Sequence, residues 1–179
     1  MMIASFSLAA CLDDAKRPDN NGWIVSESFA VKGATAVGLP EVGTGISDGM
    51  RIATAKGQFL YMQDGRSQVM ISAATTVTIS DTKPATDGPY FNLASGSLAV
   101  KPIIYGKPGR TMAVNTPHVV VIIHGGAVSI SALPDQSLIS VSEGVATIAS
   151  VATGGSKVVS PHELAVAASG RAMAPIKPL

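Results

Sequence analysis

Six glycine-containing dipeptides divide this chain at intervals: Asp48-Gly49, Asp64-Gly65, Asp87-Gly88, Gly125-Gly126, Glu143-Gly144 and Gly154-Gly155. Glycine reaches positive φ without a Cβ clash, so each dipeptide is a natural place for the backbone to reverse. Between them lie short runs rich in Val, Ile, Thr and aromatic residues, the types that suit a pleated surface. Phe91–Val100, Met112–Asn115, Val119–Ile123, Ala127–Ser131, Ser137–Ser142 and Val145–Val151 are the clearest of these runs. No window of helical length keeps an apolar stripe of period 3.6. Even Glu163–Arg171, the best helix candidate, is Ala-rich without a defined apolar face. The expected fold is mostly β, with many short strands in a rolled sheet or a β-solenoid-like stack.

A weak internal repeat points the same way. Gly96-Ser-Leu-Ala-Val100, Gly126-Ala-Val-Ser-Ile130 and Gly144-Val-Ala-Thr-Ile148 each set a glycine before a β run ending in a β-branched residue. Units of this kind bury their apolar faces only against one another.

Composition narrows the function classes. At 179 residues and 46% hydrophobic content the chain is one domain's worth with an ordinary core. Charged residues make up 14% and the net charge is +1, so no electrostatic footprint for nucleic acid is expected. One cysteine excludes an internal disulfide and a multi-cysteine zinc site. Beyond the N-terminus the longest apolar run is Val119–Ile123, far short of the roughly 20 residues of a membrane-spanning helix.

The N-terminus reads differently from the rest. Residues 1–10 are apolar and small and run directly into Cys11, and Leu8-Ala9-Ala10-Cys11 resembles a bacterial lipobox. On that reading Cys11 carries the lipid and residues 1–11 are a lipoprotein signal whose charged start is missing, since no Lys or Arg precedes the run. The competing reading leaves Cys11 an incidental cysteine of an uncleaved segment. Residues 12–22 are polar and turn-rich and read as a linker, 23–168 as the β domain, and 169–179, with Pro175 and Pro178, as a flexible tail.

Chemical motifs are weak. Val119-Val-Val-Ile-Ile-His-Gly-Gly126 has the form of an oxyanion-hole strand, and Gly45-Ile-Ser-Asp-Gly49 matches a nucleophile elbow centred on Ser47. Their order is the reverse of that in an α/β-hydrolase, and a strand-like segment, not a helix, follows Ser47. Hydrolase chemistry is therefore disfavoured. His118, His124 and His162 are dispersed, and His162-Glu163 has Val166 where a zinc motif needs a second histidine. Asp13-Asp14 and Asp81 belong to solvated loops. No catalytic residue, no cofactor and no metal site is expected.

One resemblance spans most of the chain. Thr116-Pro117, an apolar strand, His124-Gly125-Gly126, a second strand and Val141-Ser-Glu-Gly-Val145 follow the order of the C-terminal half of a FecR domain, a module of the bacterial cell envelope. Upstream, Gly43–Thr54, Gly57–Arg66, Thr75–Ile79 and Gly96–Val100 are similar to the family's earlier segments, so the likeness covers residues 33–168. His124 stands where the family usually has arginine, which removes any role that the arginine would carry. The resemblance implies a non-enzymatic binding or signal-relay module, periplasmic or envelope-bound. In the family's best-known arrangement such domains pass a signal from an outer-membrane transporter to a sigma factor. The implied partner is an envelope protein or ligand met through exposed strand edges, with Cys11 as a lipid anchor and neither nucleic acid nor a transmembrane helix involved. A structural envelope protein of the same fold is the second reading, and a serine hydrolase the third.

Overall fold

The structure, a computed structural model, describes residues 23–33, 38–64, 67–79, 91–101, 111–171, 173–174 and 177–178. Cys11, the linker, Asp81 and the Asp87-Gly88 turn lie outside the described residues. Every regular element described is a strand. The first five are short: β1 (Ile24–Ala30), β2 (Arg51–Ala53), β3 (Gln58–Asp64), β4 (Ser67–Ile71) and β5 (Thr76–Ile79). Three long strands follow, β6 (Phe91–Lys101), β8 (Val119–Ala132) and β9 (Gln136–Ser150), with β7 (Met112–Asn115) between the first two. The chain then adds β10 (Ser156–Val159), β11 (Glu163–Ala168) and β12 (Lys177–Pro178). All belong to one open sheet, with its main path ordered β1-β3-β4-β6-β7-β8-β9-β11-β12. The sheet is mixed because β6 and β7 pair in parallel through Phe91–Val114 and Asn92–Asn115, while the other pairings are antiparallel. Of the two expected arrangements this is the rolled sheet, and it does not close into a barrel.

Strand register follows the apolar alternation. On β3, Leu60 and Met62 face inward, and β4 places Val69 and Ile71 beside them through the pairs Met62–Val69 and Leu60–Ile71. Side chains alternate across a strand, so a shift of one residue would turn this set to solvent. The long strands break that alternation once each. Buried positions run Phe91, Leu93 and then Leu98, Val100 on β6; Val119, Val121, Ile123 and then Val128, Ile130 on β8; Ile139, Val141 and then Ala146, Ile148 on β9. Each strand changes phase midway, from odd to even numbers.

Glycine marks each change. The pairing of β8 with β9 is irregular between Ile123 and Gly126 and again between Ala127 and Val128, where extra residues enter as bulges. A bulge bends its strand and re-aims the residues after it, so the inward face stays inward as the sheet turns. Gly126 has φ +90° and Gly144, its register partner, φ +76°. A Cβ on Gly126 would fall on the Glu143 carbonyl, and one on Gly144 on the Gly125 carbonyl. At Gly96 on β6 a Cβ would strike Thr75, whose Oγ1 accepts a 2.9 Å hydrogen bond from the Ser97 amide. The three repeat units of the sequence are thus the second arms of three bent strands. Gly125-Gly126 and Glu143-Gly144 are bends within β8 and β9 and not the strand-ending turns their composition suggests, because the neighbouring strand continues the ladder past them.

Both arms enclose one core, which includes Leu60, Phe91, Ile123, Ile130, Ile139 and Ile148. Trp23 packs edge-on against Phe91, with ring centroids 5.7 Å apart. The backbone of Gly43–Ile46 binds the outer edge of β1: Val25 N donates to Thr44 O and Ile46 N to Trp23 O, both at 2.9 Å. Glu163–Ala168, inside the Ala-rich stretch Glu163–Arg171, is strand β11, and its alternate Ala165 and Ala167 are buried opposite β9. The described part of the tail lies against the sheet. Met173 is buried, Lys157 Nζ donates to the carbonyls of Met173 and Ala174, and β12 pairs with Glu163 and Leu164. No helix among the described residues is long and apolar enough to cross a membrane.

Candidate functional site

The two halves of the hydrolase-like pattern lie on separate parts of the sheet. Ser47 is exposed in the turn before β2, where its carbonyl accepts from Met50 N and the Gly49 amide donates to Ile79 O of β5. His124 is exposed at the bend of β8, with its Nε2 2.9 Å from Thr147 Oγ1 on β9. The pairing sequence β2-β5-β6-β8 puts two strands between them. Gly125 and Gly126 are held by the bulge against β9, so their surroundings serve the bend. Among the described residues, Ser47 makes no side-chain hydrogen bond to a histidine.

The buried polar cluster is elsewhere, and composition alone did not reveal it. Thr116, His118 and Ser137 are each at least nine-tenths buried. Thr116 Oγ1 donates to Val119 O at 3.0 Å and accepts from the amides of Val119 (3.0 Å) and His118 (3.2 Å). The Ser137 hydroxyl donates to Thr116 Oγ1 at 2.9 Å. With that hydrogen committed, Ser137 Oγ accepts from His118 Nδ1–H across 3.0 Å. The polarity is opposite to that of a nucleophile and its base, in which the serine gives its proton to the ring. The cluster instead satisfies the backbone where Thr116-Pro117 turns the chain from β7 into β8. His118 sits there as a hydrogen-bonded corner residue, and His118 O accepts from Val151 N at 3.0 Å.

His162 occupies the turn between β10 and β11 with φ 64°, and Glu163 Oε2 accepts from the Ser160 amide at 2.7 Å. The Glu163 carboxylate thus closes that turn. Among the described residues no three His, Cys, Asp or Glu side chains converge as metal ligands would.

The outer face of the sheet carries the open feature. Cross-strand register aligns Tyr61 on β3, Met70 on β4, Ala99 on β6 and Ser129 on β8 in one row. Gln68 and Lys101 pair in the next row. Because Ala99 and Ala127 are short, a groove of about 250 Å³ opens above them. Tyr61 and Met70 wall one side, Ser129 and Ser142 the other, and Gln68 and Lys101 stand at one end. Beyond Tyr61 the face continues as aromatic rings. Phe29 stacks on Phe59 at 5.4 Å and lies 6.0 Å from Tyr61, both nearly parallel, and Phe29 is 40% exposed. Three of the chain's few aromatic side chains therefore gather on one solvent-facing strip, a grouping visible only once β1 and β3 are paired.

The architecture is one bent and open sheet with a buried corner cluster and an apolar outer groove. No family model matches the chain, and no curated protein matches it. Two crystal structures of a candidate anti-sigma factor from Parabacteroides distasonis ATCC 8503 share the fold. One superposes with a TM-score of 0.60 at 16% identity, the other with 0.59 at 15%. In both comparisons 72% of this chain is covered, and the match spans 59% of the solved chain.

Proposed function

We propose that this chain is a FecR-like regulatory module of the bacterial envelope that acts by binding protein partners and not by catalysis. The observation that carries the reading is the shared fold, with a TM-score of 0.60 over 72% of the chain, with a candidate anti-sigma factor. The order of sequence segments supports it independently. Thr116-Pro117, Gly125-Gly126 and Glu143-Gly144 are the FecR-like motifs of the sequence, and in the fold they are the corner that turns β7 into β8 and the paired bend of β8 and β9. In this reading the module answers a signal at the envelope and passes it, through partner chains, to transcription. Residues 8–11 supply a lipid anchor at Cys11.

Deletion of the gene tests this. Transcription driven by the sigma factor encoded nearest to it should change, and the full chain supplied in trans should restore it. Unchanged transcription under every inducing condition of that sigma factor counts against the regulatory reading. For the anchor, labelled palmitate should enter the wild-type protein and not the Cys11→Ser variant; no label in either removes the lipoprotein part alone.

A further inference from the structure

The outer face carries charges of both signs, and strand register fixes where they stand. Glu27 on β1 is opposite Tyr61 on β3, Tyr61 is opposite Met70 on β4, and Met70 is opposite Ala99 on β6. Lys101 lies two residues beyond Ala99 on β6 and so shares its face, since side chains alternate across a strand. Glu27 and Lys101 are both exposed, and neither forms an ion pair with a described residue. An acid and a base thus stand at the two sides of the four-strand stretch β1-β3-β4-β6, with Tyr61 and Met70 between them. That middle is apolar. Tyr61 and Met70 wall the groove, and Phe29, 40% exposed, lies beside Tyr61. Exposed apolar surface with a polar rim marks a site of association.

A partner of one charge sign would match one side of this stretch and oppose the other. The stretch matches itself. A two-fold axis over the Tyr61–Met70 pair exchanges β1 with β6 and β3 with β4. It sets Glu27 against Lys101 of a second copy, Lys101 against the second copy's Glu27, and each Tyr61 against the other Met70. One patch serving both subunits is the isologous contact of two-fold dimers. The net charge of +1 adds little repulsion between copies. Glu143, opposite Ala127, is on β9, past β8 and outside the four strands.

We infer that the outer face of β1-β3-β4-β6 docks a second copy of this chain, with two Glu27–Lys101 pairs around a Tyr61–Met70 centre. The dimer stands apart from the regulatory reading above, which needs no particular oligomeric state.

Sedimentation of the full chain over a wide concentration range tests this. The weight-average mass should rise reversibly from one chain towards two and stop there. Lys101→Glu and Glu27→Lys should each weaken the dimer about tenfold or more, because the symmetry applies each like-charge contact twice. The double variant carrying both changes should return to within about threefold of the wild type, since it exchanges the charges and keeps the pairing. Glu143→Lys, a control with the same change of charge as Glu27→Lys, should also stay within about threefold. Glu27, Lys101 and Glu143 are exposed, so these variants keep the fold. A chain that stays monomeric up to about 1 mM overturns the proposal. So do single variants that associate like the wild type, a double variant no stronger than the singles, or a control that weakens as much as they do. The deletion experiment reads the regulatory role separately: altered transcription together with a monomeric chain removes the dimer and leaves the role.

Discussion

Gly126 and Ala127 are neighbours on β8, both small, but in different surroundings. At Gly126 the backbone lies at φ +90° and the space a Cβ would need is taken by the Glu143 carbonyl. No side chain can stand there while β8 and β9 remain paired. At Ala127 the side chain lines an open groove on the outer face. The first position is small for the fold; at the second, nothing in the fold requires a small residue. Small residues in a sheet therefore carry no single meaning. The backbone angle and the contents of the space above distinguish the two cases.

The largest expected effect tests the fold side of that contrast. Gly126→Ala and Gly144→Ala should each destabilise the protein by about 3 kcal/mol or more, combining the roughly 1–3 kcal/mol of a strained backbone with the roughly 1–3 kcal/mol of a forced overlap. Denaturant melts measure this, and an unchanged midpoint would show that the bend tolerates a side chain. Thr116→Val should cost about 2 kcal/mol in the same melts, because it leaves buried amide donors and the Ser137 hydroxyl without their acceptor. Gly154→Ala isolates backbone strain from crowding. It has φ +67° with open space around it, so about 1 kcal/mol is expected. If Gly154→Ala costs as much as Gly126→Ala, close approach at the bend is not what matters. Ala127→Leu should change stability by less than about 0.5 kcal/mol, the range of surface positions, while removing the groove. A large loss there would place Ala127 with Gly126 as a residue of the fold. Smallest of all, Ser47→Ala should leave stability and partner binding unaltered, and a fluorophosphonate probe should not label the wild type. Stoichiometric labelling that Ser47→Ala abolishes would replace the binding reading with a hydrolase.

Much of this fold is legible in the residues themselves. Val69–Ile71, Val77–Ile79 and Phe91–Leu93 announce strands by alternation, and the glycines of the repeat mark the places where the backbone does something unusual. The nature of that event was not legible. Gly125-Gly126 looks like a hairpin turn because local chemistry is the same for a turn and for a bulge: both need a residue without Cβ at positive φ. Whether the ladder stops or continues past it depends on a neighbouring strand, here β9, which is a long-range contact. Glu163–Ala168 reads as strand despite its alanines, because it carries no helical apolar stripe. Alanine favours helix in isolation, yet here alternate Ala165 and Ala167 are buried on a strand beside β9.

The site divides along the same line. Ser47, His124, Gly125 and Gly126 draw attention as a motif, but the serine stands two strands away from the others. Tyr61, Met70, Ala99 and Lys101 draw none, since no spacing along the chain relates them. They meet because β3, β4 and β6 pair in one register. The sequence by itself determined that the chain would be a strand protein, and where its backbone would need glycine, because those depend on local torsions and on alternation within a few residues. Tertiary structure decided that three strands would bend together, that Thr116, His118 and Ser137 would share hydrogen bonds, and that an apolar groove with a single lysine would open on the outer face. Those outcomes depend on cross-strand register, which arises only when segments tens of residues apart compete to bury their apolar faces.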